Sequence, residues 1–129
     1  MSDHVFSLDM LEKLIATPVA PGEVALAVDH KLVSIFDMED ATKVLCKEQR
    51  ICAIGKDLQD YNAIDCGLFK CTTGIFVALE RAMIDGDCSL SDGGKELIKD
   101  QKLRPVDIGQ GFWIDIDTPE ALAYAIAEL

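Results

Sequence analysis

Val24-Ala-Leu-Ala-Val28, an unbroken apolar run, constrains this fold more than any other segment. It is strand length, and a strand without alternating polar residues suits a position covered on both faces. Helical and strand patterns surround it. Ser7 stands at an N-cap position ahead of Leu8, Leu11, Leu14 and Ile15, whose 3-and-4 spacing makes one apolar helical face. Asp3-His4 before it reads as a short turn, and Thr17, Pro18 and Pro21-Gly22 end the helix.

After Asp29-His30-Lys31, residues Thr42 to Cys46 and Ile51 to Ile54 read as two strands of a hairpin, with Lys47 to Arg50 as its turn. Ala63 to Cys71 is another strand, interrupted by Gly67, and a glycine there marks a bulge or a close approach to the backbone. Thr73 is placed to cap a helix carrying Ile75, Phe76, Leu79 and Met83, closed by Gly86. Ser91-Asp92 starts a further helix with Leu97 and Ile98 inward, and Val106 to Ile108 and Phe112 to Ile116 are short strands. Thr118-Pro119-Glu120 opens the last helix with a cap, a proline at the first position and an acid suited to the helix dipole. Its expected buried stripe is Ala121, Leu122, Ala125, Ile126 and Leu129. The mixture makes an α/β fold, and the hairpin makes its sheet mixed rather than purely parallel.

The 129 residues suffice for one domain with one sizeable core, and no repeat, low-complexity tract or linker divides them. Twelve Lys+Arg against 23 Asp+Glu leave a formal net charge of −11. That balance speaks against nucleic acid and against an anionic membrane surface, both of which select clustered basic residues. No apolar run reaches ~18 residues, so no membrane span is expected, and Met1-Ser-Asp-His lacks the basic and apolar regions of a secretory leader. Cys46, Cys52, Cys66, Cys71 and Cys88 are odd in number, without a C-x-x-C. They read as reduced thiols in a cytoplasmic protein rather than a disulfide framework or zinc site.

Three acids stand at apparent strand ends: Asp3, Asp115 and Asp117. Such residues serve as caps and turn formers. They also make oxygen sites for Mg²⁺, which takes one or two carboxylates and completes its shell with substrate phosphates and water. An extended Asp115-Ile-Asp117 aims both acids to one side, although Asp117 is equally explained as a helix entry. Lys56, after a strand and a glycine, is either a solvated lysine or a point charge for a phosphate. Asp65-Cys66-Gly67 either sets backbone groups against a ligand or forms a simple bulge. His4 and His30 have acidic neighbours but no metal-ligand spacing and no nucleophile beside them, so neither receives a catalytic role. Asp115-Ile-Asp117-Thr118 falls short of a D-x-D-x-T phosphatase signature, because its threonine comes one place early. There is neither a G-x-G-x-x-G nor a P-loop.

Several segments, in order, resemble one family. Met1-Ser-Asp-His-Val-Phe6 looks like a central-strand end of a sugar-nucleotidyltransferase domain. Thr42-Lys43-Val44 and Ile54-Gly55-Lys56-Asp57-Leu58 look like its hairpin and following lysine. Tyr61 to Phe69 is similar to its D-T-G-x-F strand, and Gly111-Phe-Trp-Ile-Asp115-Ile-Asp117-Thr-Pro-Glu120 to its closing W-x-D-V-D-T-P-E segment. The inositol-1-phosphate (or related polyol-phosphate) cytidylyltransferases, in the MobA-like group, are the nearest subfamily. The resemblance implies a Rossmann-like domain joining a nucleoside triphosphate to a phosphorylated sugar or polyol, with pyrophosphate leaving. It implies Asp3 and Asp115, with Asp117, as Mg²⁺ ligands. It also implies Lys56 at the acceptor phosphate, and Asp65 and Gly67 shaping the acceptor pocket. Asp3, Lys56 and Asp115 are thus the expected catalytic set. Cys66 replaces the family's threonine, removing a hydroxyl.

The family's Gly-rich loop, which cradles the triphosphate, has no counterpart here. Residues 1–129 are therefore expected to form one unit, the acceptor-binding half of the domain without its N-terminal nucleotide-binding half. A sheet edge and an apolar face would then lack their usual cover. A complementary half, or a second copy of the chain, is the expected macromolecular partner. Alone, the chain is expected to be inactive in nucleotidyl transfer. The alternative is a non-catalytic, homo-oligomeric binding or assembly module.

Overall fold

A computed structural model describes residues 3–128. Met1, Ser2 and Leu129, named in the motif and stripe above, lie outside them. Five strands form the main sheet in the order β4-β3-β5-β2-β6: β2 (Val24–Asp29), β3 (Lys43–Lys47), β4 (Arg50–Gly55), β5 (Ala63–Cys71) and β6 (Leu103–Asp107). β2 and β6 are parallel, and the other pairs are antiparallel, giving the mixed sheet expected. β1 (His4–Phe6) and β7 (Trp113–Asp115) form a separate antiparallel ribbon, with His4 opposite Asp115. Asp3-His4 thus leads into a strand rather than a turn, because β7 supplies its ladder from the far end of the sequence. Four helices complete the chain: α1 (Leu8–Ala16), α2 (Gly74–Ala82), α3 (Leu90–Lys99) and α4 (Pro119–Glu128).

β2 is buried at every position. Its Val24, Leu26 and Val28 enter a core with α2, α3, β3 and β4, while Ala25 and Ala27 turn to the side of Met10 and Leu14 on α1. Large residues on one face and alanines on the other explain the unbroken apolar run: helices cover both sides. Each buried Val or Leu contributes about 1.5–3 kcal/mol relative to exposure. On the first face, α2 and α3 approach closely at Gly93, where a β-carbon would stand 2.7 Å from Leu79 Cδ2.

The β3–β4 turn places Glu48 and Gln49 at φ 52° and 61°, the left-handed pair that a two-residue hairpin turn requires. The β2–β5 register slips between Leu26 (opposite Phe69) and Val28 (opposite Asp65), so the expected irregularity around Gly67 is a bulge.

Helix details depart from the sequence pattern. On α1, Met10 and Leu14 are buried, whereas Leu8 and Ile15 are 67% and 63% exposed. On α4, Ala121 and Ala125 are buried against Ile114, but Leu122 and Ile126 are exposed. α3 begins at Leu90, because Ser89, two residues before Ser91, forms a reciprocal capping box with Asp92. Ser7 occupies the α1 cap position, yet its hydroxyl instead accepts from the Phe112 N–H at 3.0 Å, stitching the helix start to the β7 approach. Thr73 makes no side-chain cap on α2.

β5 is fully flanked by β2 but meets β3 only at Ala63 and Ile64. Among the described residues, no strand pairs with that side of β5 from Cys66 to Cys71. No described helix is long and apolar enough to cross a membrane.

Candidate functional site

The carboxyl ends of parallel strands are where open α/β sheets expose ligand-binding groups. Asp29 ends β2, and its side chain is almost fully buried. Its Oδ1 accepts from Lys31 Nζ at 2.9 Å, and its Oδ2 accepts from Trp113 Nε1 at 2.9 Å. Lys31 Nζ also donates to the Gly109 and Gly111 carbonyls at 2.8 and 3.1 Å. This network ties the β1–β7 ribbon to the end of the main sheet.

The ribbon then places His4 at the meeting point of four other residues. His4 Nδ1 lies 3.0 Å from Asp3 Oδ1, and Nε2 lies 2.5 Å from Asp115 Oδ1. The imidazole rests on Gly67, where a β-carbon would fall 2.7 Å from His4 Cδ2. Gly67 has φ +79° and donates its N–H to Asp65 Oδ1 at 2.7 Å. Asp3, Asp65, Gly67 and Asp115, separated by up to 112 positions, are thereby gathered around one ring.

The electrostatics follow from this crowding. Hydrogen bonding to His4 holds the Asp3 carboxyl below its ordinary range. Burial pushes Asp65 up to about 6, opposed by the Gly67 N–H and by His4, and assisted by the charge of Asp115. Asp115 is raised by desolvation, then lowered by His4, then raised again by Asp3, Asp117 and Asp40. The close approach of His4 Nε2 is not an aligned hydrogen bond. Asp115 Oδ1, itself shielded from solvent, has no hydrogen-bond partner among the described residues. A shielded, unpartnered carboxylate oxygen beside further acids is the donor chemistry a hard cation takes. No group of three or more His, Cys, Asp or Glu converges for a metal among the described residues. A cation on Asp3 and Asp115 would therefore keep most of its shell for water and substrate oxygens, as Mg²⁺ does.

Asp115 and Asp117 both line a cavity of about 240 Å³, with Asp29, Lys31, Phe36 and Tyr124 among its walls. Lys56 lies outside it, in a shallow neighbouring depression with Lys43 and Tyr61. Its Nζ contacts Asp40 Oδ1 at 3.2 Å, and Asp40 belongs to the cavity wall, so the lysine stands exposed at the rim. Sequence reasoning did not find His4, the Asp29–Lys31–Trp113 network or Asp40. The only available signal was the Asp-His pair at a strand end matched by a glycine in a later strand.

Among solved structures, the inositol-1-phosphate CTP transferase from T. maritima superposes with a TM-score of 0.83 at 28% identity, over 98% of this chain and 51% of that one. This chain has the fold of part of a nucleotidyltransferase chain. A Bacillus anthracis chain assigned as a glucose-1-phosphate thymidylyltransferase gives a TM-score of 0.73 at 17% identity, a likeness of fold alone. In sequence, the partial domain is 35% identical over 120 residues to a bifunctional IPC transferase and DIPP synthase from Aquifex aeolicus, covering 93% of this chain and 26% of that protein. The protein of the same name from Thermococcus kodakarensis is 34% identical over 127 residues, 97% of this chain and 27% of its own length. The partial domain thus spans about a quarter of these curated relatives and about half of the solved transferase. No protein-family model matches it.

Proposed function

We propose that the partial domain binds a phosphorylated polyol, such as an inositol phosphate, together with Mg²⁺, as the acceptor side of a nucleotidyl-transfer site. The convergence of Asp3, Asp65, Gly67 and Asp115 on His4 carries this reading. Asp3 and Asp115, with Asp117 beside them, would hold the cation, which supplies charge neutralisation between reacting phosphates. Asp65 and the Gly67 backbone shape one wall, and Lys56 exchanges Asp40 for the acceptor phosphate. The acceptor phosphate then attacks the α-phosphorus of a nucleoside triphosphate, and pyrophosphate leaves with the electron pair of the broken bond. Positioning of this kind supplies most of the catalysis in phosphoryl transfer.

The triphosphate is held by residues outside this chain. All three arginines are paired away from the site: Arg50 and Arg104 with Glu23, and Arg81 with Asp100. No Gly-rich loop is present to cradle phosphates. The isolated chain therefore releases no pyrophosphate from CTP and a polyol phosphate, and a complementary half restores the reaction. Its five free thiols suit a reducing cytoplasm. Isothermal titration with inositol 1-phosphate and Mg²⁺ tests the reading. Micromolar-to-millimolar binding that weakens roughly tenfold in Lys56→Ala supports it, and no binding by the unaltered chain, or equal binding by Lys56→Ala, overturns it.

A second reading, a homo-oligomeric assembly module, is favoured by one observation. Among the described residues, nothing covers the open side of β5 or the exposed Leu8 and Ile15 of α1. Light scattering separates the two: a clean monomer at micromolar concentration counts against assembly.

A further inference from the structure

Sequence reasoning gave His4 no role, yet it is the group on which the candidate site converges. We infer that His4 is a positioning residue. It sets the spacing and orientation of the Asp3 and Asp115 carboxylates for a divalent cation without itself ligating that cation. The inference rests on the cation reading above.

Three observations carry it. Nδ1 is hydrogen-bonded to Asp3, and Nε2 is blocked by the close but unaligned approach of Asp115 Oδ1, so ligation would require a carboxylate to move aside. The ring cannot shift toward β5, because it fills the space above Gly67 that any β-carbon would occupy. The strand pairing opposes His4 directly to Asp115, and the Ile116 N–H donates to the Asp3 carbonyl at 2.7 Å, so the backbones beneath both carboxylates are fixed as well. An imidazole locked on three sides is a rigid spacer. A small hard cation prefers the oxygens it presents over the nitrogen. Groups that hydrogen-bond metal ligands in this way typically change metal affinity about 10–100-fold when removed.

The test is Mn²⁺ binding by the full chain, followed by the loss of the free-ion electron paramagnetic resonance signal. Mn²⁺ stands in for Mg²⁺, and thermal unfolding is recorded in parallel. The expected result is that the unaltered chain binds, Asp115→Asn abolishes binding, and His4→Ala weakens it roughly tenfold or more. His4→Gln, whose amide can still reach one carboxylate, recovers part of the affinity. Recovery with Gln at equal melting temperature distinguishes positioning from simple structural support. Equal affinity in the unaltered chain and His4→Ala overturns the inference and leaves the cation reading standing. Absence of Mn²⁺ binding in the unaltered chain overturns both. If His4→Ala does not fold, His4→Gln decides: near-normal melting with affinity no better than that of Asp115→Asn also overturns it.

Discussion

The His4 imidazole occupies the volume that a side chain at Gly67 would need, with Cδ2 2.7 Å from the β-carbon position. Two strands far apart in sequence are thus matched ring to bare backbone. Gly67→Ala must move the ring and also strain φ +79°, which an L side chain adopts at a cost of about 1–3 kcal/mol. We expect urea unfolding to show a loss of that order and titration to show weakened polyol-phosphate binding in the same variant. An alanine variant with unaltered stability would show that the ring and the strand do not pack as described.

Asp65 gives the stability curve a definite slope. Its native carboxyl titrates at about 6, above its ordinary value of 3.8, because burial disfavours the charge. Between those values the native state binds more protons than the unfolded state, so stability falls as pH rises from about 4 to about 6 and then levels. The full effect is roughly 3 kcal/mol, reduced by whatever solvent contact the group keeps. Asp65→Asn retains an oxygen for the Gly67 N–H and removes the charge. Denaturation at several pH values should find it more stable than the parent near neutrality, with this part of the slope gone.

Asp115 is expected to separate binding from stability. Its charge is opposed by desolvation and by Asp3, Asp117 and Asp40. Asp115→Asn should melt no lower than the parent at neutral pH, yet bind inositol 1-phosphate with Mg²⁺ at least tenfold more weakly. Calorimetry and thermal unfolding on the same sample check both halves.

Lys56 should behave in the opposite way to a buried structural charge. It and Asp40 are both more than half exposed, so their pair contributes about 0–1 kcal/mol at most. Lys56→Ala is therefore expected to leave the melting temperature near that of the parent while lowering acceptor affinity roughly tenfold, the scale of one charge-assisted hydrogen bond. Lys56→Arg, with a broader and differently hydrated head, should recover only part.

The legible parts of the fold were those written locally. The apolar run of β2, the β3–β4 hairpin and the glycine bulge in β5 each follow from a few adjacent residues, although the turn proves tighter than the Lys47–Arg50 stretch expected for it. Strand ends also marked Asp3, Asp115 and Asp117, and Asp65 stood out only through the glycine two places after it. His4 was illegible because its partners at Gly67 and Asp115 come from distant strands, and a lone histidine beside an aspartate has no spacing that announces them. The α1 pattern misled for a related reason. Periodicity identifies an apolar face, but among the described residues nothing covers Leu8 and Ile15. Lys56 read as either a solvated lysine or a phosphate contact, and its pairing with Asp40 depends on the 30–41 segment, which carries little periodic signal.

The unshared flank of β5 also bears on how the protein behaves in a concentrated solution. A net charge of −11 keeps copies apart at low ionic strength, and Lys70, whose Nζ is drawn to the Ile15 and Thr17 carbonyls, is poorly placed to guard that flank. At 1 M salt the electrostatic reach shrinks to about 3 Å, so added salt should favour clumping. Colloidal behaviour in this chain is then governed by its surplus of acids rather than by its sheet.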